Sequence, residues 1–143
     1  WAYDGNESNV NTYGRLYTSY AVTDSRNVCP TGWHVPTDVE WTTLITYLGG
    51  VFVAGGKLKE TGTTHWTTPN TGATNETGFT ALPSGYRYLY GAYYNIGSYG
   101  HWWSSSEYNS TDAYGRGMGY ADSDVTWGSS DKGNGFSVRC LRD

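Results

Sequence analysis

Residues 29–50 read CPTGWHVPTDVEWTTLITYLGG, and they contain the strongest local signal in the chain. Thr37 and Glu40 have the spacing of a capping box, in which each side chain accepts a hydrogen bond from the backbone N–H of the other residue. The apolar residues that follow recur at helical intervals: Trp41, Leu44, Ile45 and Leu48. Gly49-Gly50 supplies a stop, so the stretch predicts an amphipathic helix over residues 37–48 with a buried apolar face.

Outside this stretch the local signals are weaker. A second helix is predicted over residues 12–21, where one helical face would carry Tyr13, Leu16, Tyr17 and Tyr20. From Gly55 onward Gly, Thr, Asn and Ser are frequent, and short β-prone pieces are predicted. These pieces are residues 79–82, 101–104, 113–120 and 136–141. Residues 61–77 are predicted to form an ordered loop held by Trp66.

Chain length and net charge limit the number of domains and the kinds of partner that can be expected. A chain of 143 residues fits one domain, taken here as residues 1–143. The net charge is −4 and no basic run occurs, so nucleic acid is excluded as the expected partner. No stretch of 18 apolar residues is present, and direct membrane insertion is not expected. The first residue is Trp1 rather than Met, so we interpret the chain as a trimmed or excerpted product.

The two cysteines, Cys29 and Cys140, lie near opposite ends of the chain. A bridge between them would close a loop of more than a hundred residues and constrain the unfolded chain by about 4.7 kcal/mol. Two unpaired buried thiols are the alternative. The surface-type composition favours the bridge. The two cysteines and three scattered histidines match no metal-ligand spacing, so no metal site is predicted from them.

Residues 86–134 have the composition of a binding surface. Nine of the 14 tyrosines lie there, together with many Ser, Gly and Asp residues. Tyr offers a large contact area with few rotatable bonds, and Ser, Gly and Asn supply adaptable hydrogen bonding. We predict that one contiguous exposed face within residues 88–130 binds a ligand. The predicted contact residues are Tyr88, Tyr90, Tyr93, Tyr94, Tyr99, His101, Tyr108, Asp112, Tyr114, Asp122, Asp124 and Trp127.

Two other features of this region leave alternatives open. Trp102 and Trp103 are adjacent, so on a strand one ring would face the core and the other would face outward, where it could anchor a sugar or a protein. No cofactor is expected. The aspartates of the region leave open a structural calcium ion, since calcium accepts varied oxygen ligands and needs no readable motif.

Several motifs in fixed order resemble the Fibrobacter succinogenes major paralogous domain, a family of bacterial surface and lipoprotein modules. They are residues 29–41 (CPTGWHVPTDVEW), 55–60 (GGKLKE), 75–79 (NETGF), 82–87 (LPSGYR), 102–107 (WWSSSE) and 135–143 (GFSVRCLRD). The resemblance covers essentially the whole chain. The strand-forming stretch with which the family usually begins is absent, so the domain is expected to lack that N-terminal segment.

Residues 35–41 and 135–140 also resemble the framework of the formylglycine-generating branch of C-type-lectin-like folds. This resemblance implies an α+β, C-type-lectin-like fold with two helices, a small twisted antiparallel sheet and long loops. The same branch contains the variable proteins of diversity-generating retroelements, whose C-terminal section is mutagenised at adenines. Residues 88–134 look like such a section, and the candidate variable positions include Gly115, Gly117 and Gly128. Ordinary divergence among paralogues is the alternative.

The expected function is recognition without catalysis. Formylglycine generation needs two neighbouring cysteines, which the chain lacks, and Ser104-Ser105-Ser106 beside Glu107 has no nucleophile elbow. These serines are interpreted as frame residues that satisfy the loop backbone. We expect a ligand-binding, receptor-like or adhesin-like domain on a bacterial surface, or displayed on a phage particle, with a protein or glycan ligand on another cell or molecule. A module of an extracellular assembly and a carbohydrate-binding module are the alternatives, and an oligomer is left open.

Overall fold

The computed structural model describes residues 1–143. A 3₁₀ turn covers Tyr3–Gly5, and the α-helices are α1 (Ser8–Tyr13), α2 (Ser19–Val22), α3 (Asp38–Tyr47) and α4 (Val51–Leu58). The strands are β1 (Trp33–His34), β2 (Ser84–Arg87), β3 (Tyr93–Ile96), β4 (Tyr99–Glu107), β5 (Asp112–Gly119), β6 (Thr126–Asp131) and β7 (Leu141–Arg142). The protein is α+β, with few helices and a curled sheet.

The main sheet has five strands in the order β3-β2-β4-β5-β6. Every pair in it is antiparallel except β2 and β4, which run parallel with Gly85 opposite Gly100. The predicted antiparallel sheet is therefore corrected to a mixed one. A separate two-stranded sheet joins β1 to β7, with Trp33 opposite Arg142.

The helix predicted from the opening motif is confirmed as α3. The Glu40 N–H donates to Thr37 Oγ1 at 3.2 Å, and the Thr37 N–H donates to Glu40 Oε2 at 2.8 Å, so the capping box is complete. Trp41, Ile45 and Leu48 are buried, as predicted, and Leu44 is partly buried.

The prediction of one helix over residues 12–21 is wrong. Helix α1 ends at Tyr13, Gly14 has a φ of 75°, and α2 starts only at Ser19. Leu16 is buried, and its N–H donates to the carbonyl of Trp1 at 2.9 Å. This contact with the start of the chain cannot be seen in local periodicity.

Helix α4 was not predicted, because its Gly55-Gly56 pair suggested a loop. These glycines allow the helix to pack closely on backbone: a Cβ at Gly55 would collide with the carbonyl of Asp124, and one at Gly56 with the carbonyl of Gly72. Gly49 and Gly50, with φ of 101° and 98°, turn the chain from α3 into α4.

The strand predictions are met only in part. Residues 101–104 and 113–120 coincide with β4 and with most of β5, while residues 79–82 form no strand. Residues 136–141 contribute single bridges and the start of β7. Strands β2, β3 and β6 had no clear sequence signal.

The core lies on both sides of β4. On one side, Trp102 and Met118 pack with Trp41 and Leu58 from the helices. On the other side, Trp103 packs within a second cluster that contains Phe136. The expectation that one tryptophan faces outward is wrong, because the second cluster covers that face and both rings are buried.

Cys29 and Cys140 form the predicted disulfide, with their Cα atoms 5.8 Å apart. The bond indicates folding in a non-cytoplasmic, oxidising environment. Trp66 is buried, and its Nε1–H donates to the carbonyl of Ala81 at 2.9 Å, so the ordered loop over residues 61–77 is also confirmed. None of the helices has both the length and the apolar character that a membrane crossing requires.

The serines of the WWSSSE motif satisfy backbone groups, as interpreted. Ser104 is buried, and its Oγ accepts the N–H of Ser106 at 3.0 Å. The Ser106 Oγ in turn accepts the N–H of Asp38 at 2.9 Å, which connects β4 to the first turn of α3.

Candidate functional site

One cavity of about 470 Å³ lies against β4, β5 and β6, and we call it the glycine-lined cavity. Its lining residues come from the five strands β2 to β6, from the segment between β2 and β3, and from the segment before β7. They are Tyr86, Tyr88, Asn95, Tyr99, His101, Gly115, Arg116, Gly117, Thr126, Trp127, Gly128, Ser129, Ser130, Asn134 and Phe136. Pockets for small ligands typically measure about 300–1,000 Å³.

Strand alternation explains why this surface is concave. Successive residues of β5 and β6 point to opposite faces of the sheet. Gly115 lies opposite Gly128 across the ladder, and Gly117 lies opposite Thr126. Because most of these positions are glycines, few side chains cover the backbone of the two strands on this face, and the surface is concave.

Aromatic stacking holds one wall of the cavity in place. Phe136 stacks on buried Trp103 with ring centroids 4.3 Å apart, His101 stacks on Phe136 at 5.1 Å, and Tyr99 stacks on His101 at 6.3 Å. The column runs from the core to the surface, so the outer rings have little freedom to lose when a ligand binds. Preorganisation of this kind lowers the entropic cost of binding.

His101 is the most perturbed ionisable group of the cavity. Burial among the aromatic rings lowers its pKa to about 4, because desolvation penalises the charged imidazolium. The ring is therefore neutral near pH 7 and carries one donor and one acceptor nitrogen.

Strands β2 and β3 supply further aromatic rings. Tyr86 contacts His101 edge-on, with centroids 5.3 Å apart, and Tyr94 packs on Tyr86 at 5.5 Å. Tyr88 also lines the cavity, and Tyr90 packs edge-on against it at 5.5 Å. The predicted contact residues that lie in or beside the cavity on this side are thus Tyr88, Tyr90, Tyr94 and His101, together with Tyr99.

The opposite face of the same strands is filled. Arg116 pairs with Trp127 across the β5–β6 ladder, and both side chains donate to Asp38 Oδ1 in α3, at 2.7 and 3.2 Å. Tyr114 stacks on Trp127 at 5.6 Å, and Tyr108 packs edge-on against Tyr114 at 5.2 Å. We call Tyr108, Tyr114 and Trp127 the helix-side cluster.

The remaining predicted contact residues lie elsewhere. Tyr93 packs against the ring of Tyr3, on the face of β3 away from Tyr94. Asp112 accepts a hydrogen bond from Thr111 at 2.7 Å, at the start of β5. Asp122 and Asp124 belong to the loop that packs against α4, where the carbonyl of Asp122 accepts a hydrogen bond from the buried amine of Lys59 at 2.7 Å.

The expectation of a single contiguous surface is therefore corrected. Tyr88, Tyr90, Tyr94, Tyr99 and His101 gather at the glycine-lined cavity. The rings of the helix-side cluster lie on the other face of the sheet, although Trp127 also contributes to the lining of the cavity. The physical reason is the side-chain alternation along β3, β5 and β6, which composition alone does not register. No three His, Cys, Asp or Glu side chains come together in a group that could hold a metal ion.

The lining residues that had not been singled out as contacts include Tyr86, Asn95, Asn134 and Phe136. Phe136 lies in a motif that was interpreted as framework, and Tyr86 lies in the LPSGYR motif of the family resemblance. Their position depends on the parallel insertion of β2 beside β4, which no local pattern signalled. Gly115, Gly117 and Gly128 had been singled out, as candidate variable positions.

The fold and site together define an α+β domain whose curled sheet carries helices on one face and a cavity of aromatic and glycine residues on the other. A family model described as the Fibrobacter succinogenes major domain matches residues 1–142, and the protein belongs to this family. Comparison with curated proteins found no match, and comparison with solved structures found none either.

Proposed function

We propose that this protein is a non-catalytic ligand-binding domain displayed on the surface of a bacterial cell or of a phage particle, and that its ligand binds in the glycine-lined cavity. The observation that carries the proposal is the cavity itself. A rigid column of rings ending in Tyr99 borders an open surface of three glycines. Tyr and Trp are the residue types that most often dominate binding energy.

The chemistry of the cavity supports contact recognition. Planar rings offer area at low entropic cost, and neutral hydroxyl, amide and imidazole groups offer directional hydrogen bonds. The disulfide is consistent with an exported location. In this proposal the fold is C-type-lectin-like, and the closing of the domain by the β1–β7 pair and by the disulfide supports that assignment.

The proposal includes diversification of residues 88–130 by a retroelement. Its support is the bias of the region toward residues that adenine mutagenesis produces. Sequencing many clones from one source tests it: substitutions should concentrate at positions such as Tyr99, Gly117 and Gly128, and spare Trp102 and Met118. Substitutions spread evenly over the chain would leave ordinary divergence as the explanation.

The binding test uses the purified domain on an array that carries both glycans and peptides. Tyr99→Ala should weaken binding to any hit by about 2 kcal/mol or more, roughly thirtyfold. Tyr108→Ala, on the other face of the sheet, is the matched control and should leave affinity unchanged. The reverse result would move the site to the helix-side cluster and contradict the proposal.

A module of a larger surface assembly is the second candidate. It is favoured by the exposed apolar side chains of α3 and α4, where Val39, Tyr47 and Phe52 are 73%, 85% and 75% exposed. Single exposed apolar residues are common, but three on one helical pair are typical of a subunit contact. Sedimentation of the wild type beside Tyr47→Ser/Phe52→Ser tests this candidate, which requires an oligomer that the double substitution dissociates.

A further inference from the structure

The glycine-lined cavity has no side-chain charge available to a ligand. None of its lining residues is Asp, Glu or Lys, and the guanidinium of Arg116 is bound to Asp38 on the other face of the sheet. His101 is neutral near pH 7, because burial lowers its pKa. A charged ligand group placed here would lose water and gain no counter-ion, which is unfavourable. The ligand that fits is uncharged.

The cavity nevertheless holds hydrogen-bonding groups that the fold leaves free. Asn134 accepts the N–H of Leu89 at 2.9 Å through its Oδ1, which leaves its amide NH₂ available. The side chains of Asn95 and Ser130 and both ring nitrogens of His101 make no hydrogen bond within the domain. These groups include donors and acceptors in comparable number, so they suit a ligand whose own groups can do both.

Gly128 has no structural need to be glycine. It does not have a positive φ, and a Cβ placed on it would meet nothing within 4 Å. Glycine inside a strand weakens it, and it often marks a place where a ligand approaches the backbone closely. Beside Gly128 the strand is therefore open to a flat or bulky group.

We propose that the cavity binds an uncharged sugar ring of a glycan, by stacking on Tyr99 and by hydrogen bonds to the free amide, hydroxyl and imidazole groups. A sugar ring has an apolar C–H face and a rim of hydroxyls, each of which both donates and accepts. That combination matches a wall of rings beside neutral polar groups. An aromatic or aliphatic peptide side chain would leave the polar groups without partners, which is costly. This inference rests on the proposed function and specifies its ligand.

The test places the intact domain on an array of neutral oligosaccharides, of sialylated and sulfated counterparts, and of peptides. Hits are measured again in solution by calorimetry. We expect binding to neutral glycans, insensitive to added salt because no ion pair is involved. Gly128→Val should reduce the affinity at least about tenfold, because the new side chain occupies the space beside the strand.

Tyr114→Val is the control. Tyr114 lies on β5 and is not among the residues that line the cavity, and its side chain leaves the sheet on the face of the Trp127 ring, away from Gly115 and Gly117. It should bind as the wild type does. Valine favours strands, and thermal melting of both variants should show an intact fold.

The outcomes separate this inference from the proposed function. Binding to peptides or to charged glycans alone, if weakened by Tyr99→Ala, would overturn the sugar assignment and leave the cavity as the binding site. Binding to neutral glycans that Gly128→Val does not affect would also overturn the assignment. Hits insensitive to both Tyr99→Ala and Gly128→Val, or no hit on any part of the array, would overturn both proposals.

Discussion

The two faces of the β5–β6 ladder differ in almost every physical respect, although they are built from alternate residues of the same strands. On the cavity face the ladder carries Gly115, Gly117 and Gly128, and the nearby side chains of Asn95 and Ser130 make no hydrogen bond within the domain. On the helix face the Arg116 side chain is 1% exposed, and its two terminal nitrogens donate to Asp38, to Thr42 Oγ1 and to the carbonyl of Gly115, while its Nε has no partner.

Under the proposed function, this difference would separate the residues that stabilise the domain from those that bind the ligand. The helix face buries a charge pair, and the tight packing there makes substitutions costly. The cavity face leaves positions such as Gly128 unconstrained by contacts, so a substitution there is expected to leave the fold intact. A surface that tolerates variation needs this arrangement.

The largest expected effect is on the helix face. Asp38→Ala removes the carboxylate that accepts from Arg116 and Trp127, and it leaves a buried guanidinium without its counter-ion. Breaking a buried pair in this way costs about 3–5 kcal/mol. Urea or thermal unfolding should show this loss.

Asp24→Ala is the control for that substitution. It breaks an equally short ion pair, to Arg26, whose side chain is 89% exposed. Exposed pairs contribute little to stability, so the melting midpoint should move far less. Equal shifts for the two variants would mean that the helix face is not the more constrained one.

On the cavity face, His101 should make the stability of the protein depend on pH. Burial lowers the pKa of His101 to about 4 in the folded protein, whereas an unfolded chain has an ordinary His pKa of about 6.5. Between these two pH values His101 is protonated in the unfolded chain and neutral in the folded one. The free energy of unfolding should therefore fall as the pH drops from about 6.5 toward 4. Unfolding measured across this range checks the prediction.

His101→Phe keeps the stack between Phe136 and Tyr99 but cannot titrate, so its stability should lose the acid-side decline that His101 causes. His34 acts in the opposite direction, since the hydrogen bonds that its ring nitrogens make to the carboxylates of Asp143 and Glu40 raise its pKa. The contribution of His34 to the free energy of unfolding is fully present below the pKa of His34 in the unfolded chain. It is lost as the pH rises through the pKa of His34 in the folded protein. The wild type and His101→Phe both retain His34, so its effect is the same in the two proteins. Identical plots of unfolding free energy against pH would therefore contradict the prediction.

A smaller effect is expected at the start of α3, which anchors the helix face. Thr37→Ala removes the side-chain oxygen that accepts the Glu40 N–H, and loss of an N-cap costs about 1 kcal/mol. Thr46→Ala, an exposed change within the same helix, should be neutral or slightly stabilising because alanine favours helices. Chemical denaturation that ranks the two variants the other way would refute the capping role.

The smallest expected effect on stability distinguishes alanine substitutions at two glycines of the cavity. Gly128→Ala meets nothing within 4 Å and should raise the free energy of unfolding by about 0.5 kcal/mol, through a less flexible unfolded chain. In Gly117→Ala the new Cβ would lie 2.5 Å from Thr126 Oγ1 and 3.2 Å from His101 Nδ1, so stability should fall. Melting curves that show the same sign for both would mean that the two positions do not differ in packing.

Much of the framework was predictable from local spacing. The capping box, the apolar face of α3 and the stop at Gly49-Gly50 are encoded within 14 consecutive residues, and the structure has all three. The disulfide followed from an even cysteine count in framework motifs, and the order of those motifs identified the family.

The candidate site was predictable in composition but not in geometry. The region 86–134 contains the glycines of the cavity and all of its lining aromatic residues except Phe136. Its division between two faces depended on strand boundaries, since a shift of one residue moves every side chain to the other side of the sheet. Strands β3 and β6 lacked clear signals, so the face of Tyr93 or Trp127 could not be assigned.

The sequence by itself thus determined the main helix, the covalent link and the chemical character of residues 86–134, because each rests on residue type or on contacts between near neighbours. Only the tertiary structure decided that Tyr86 reaches His101, that Asp38 binds Arg116 and Trp127, and that both tryptophans of the WWSSSE motif are buried. Those contacts join residues far apart in the chain. Their formation depends on the pairing of whole strands and on what packs against each face, and no short pattern contains that information.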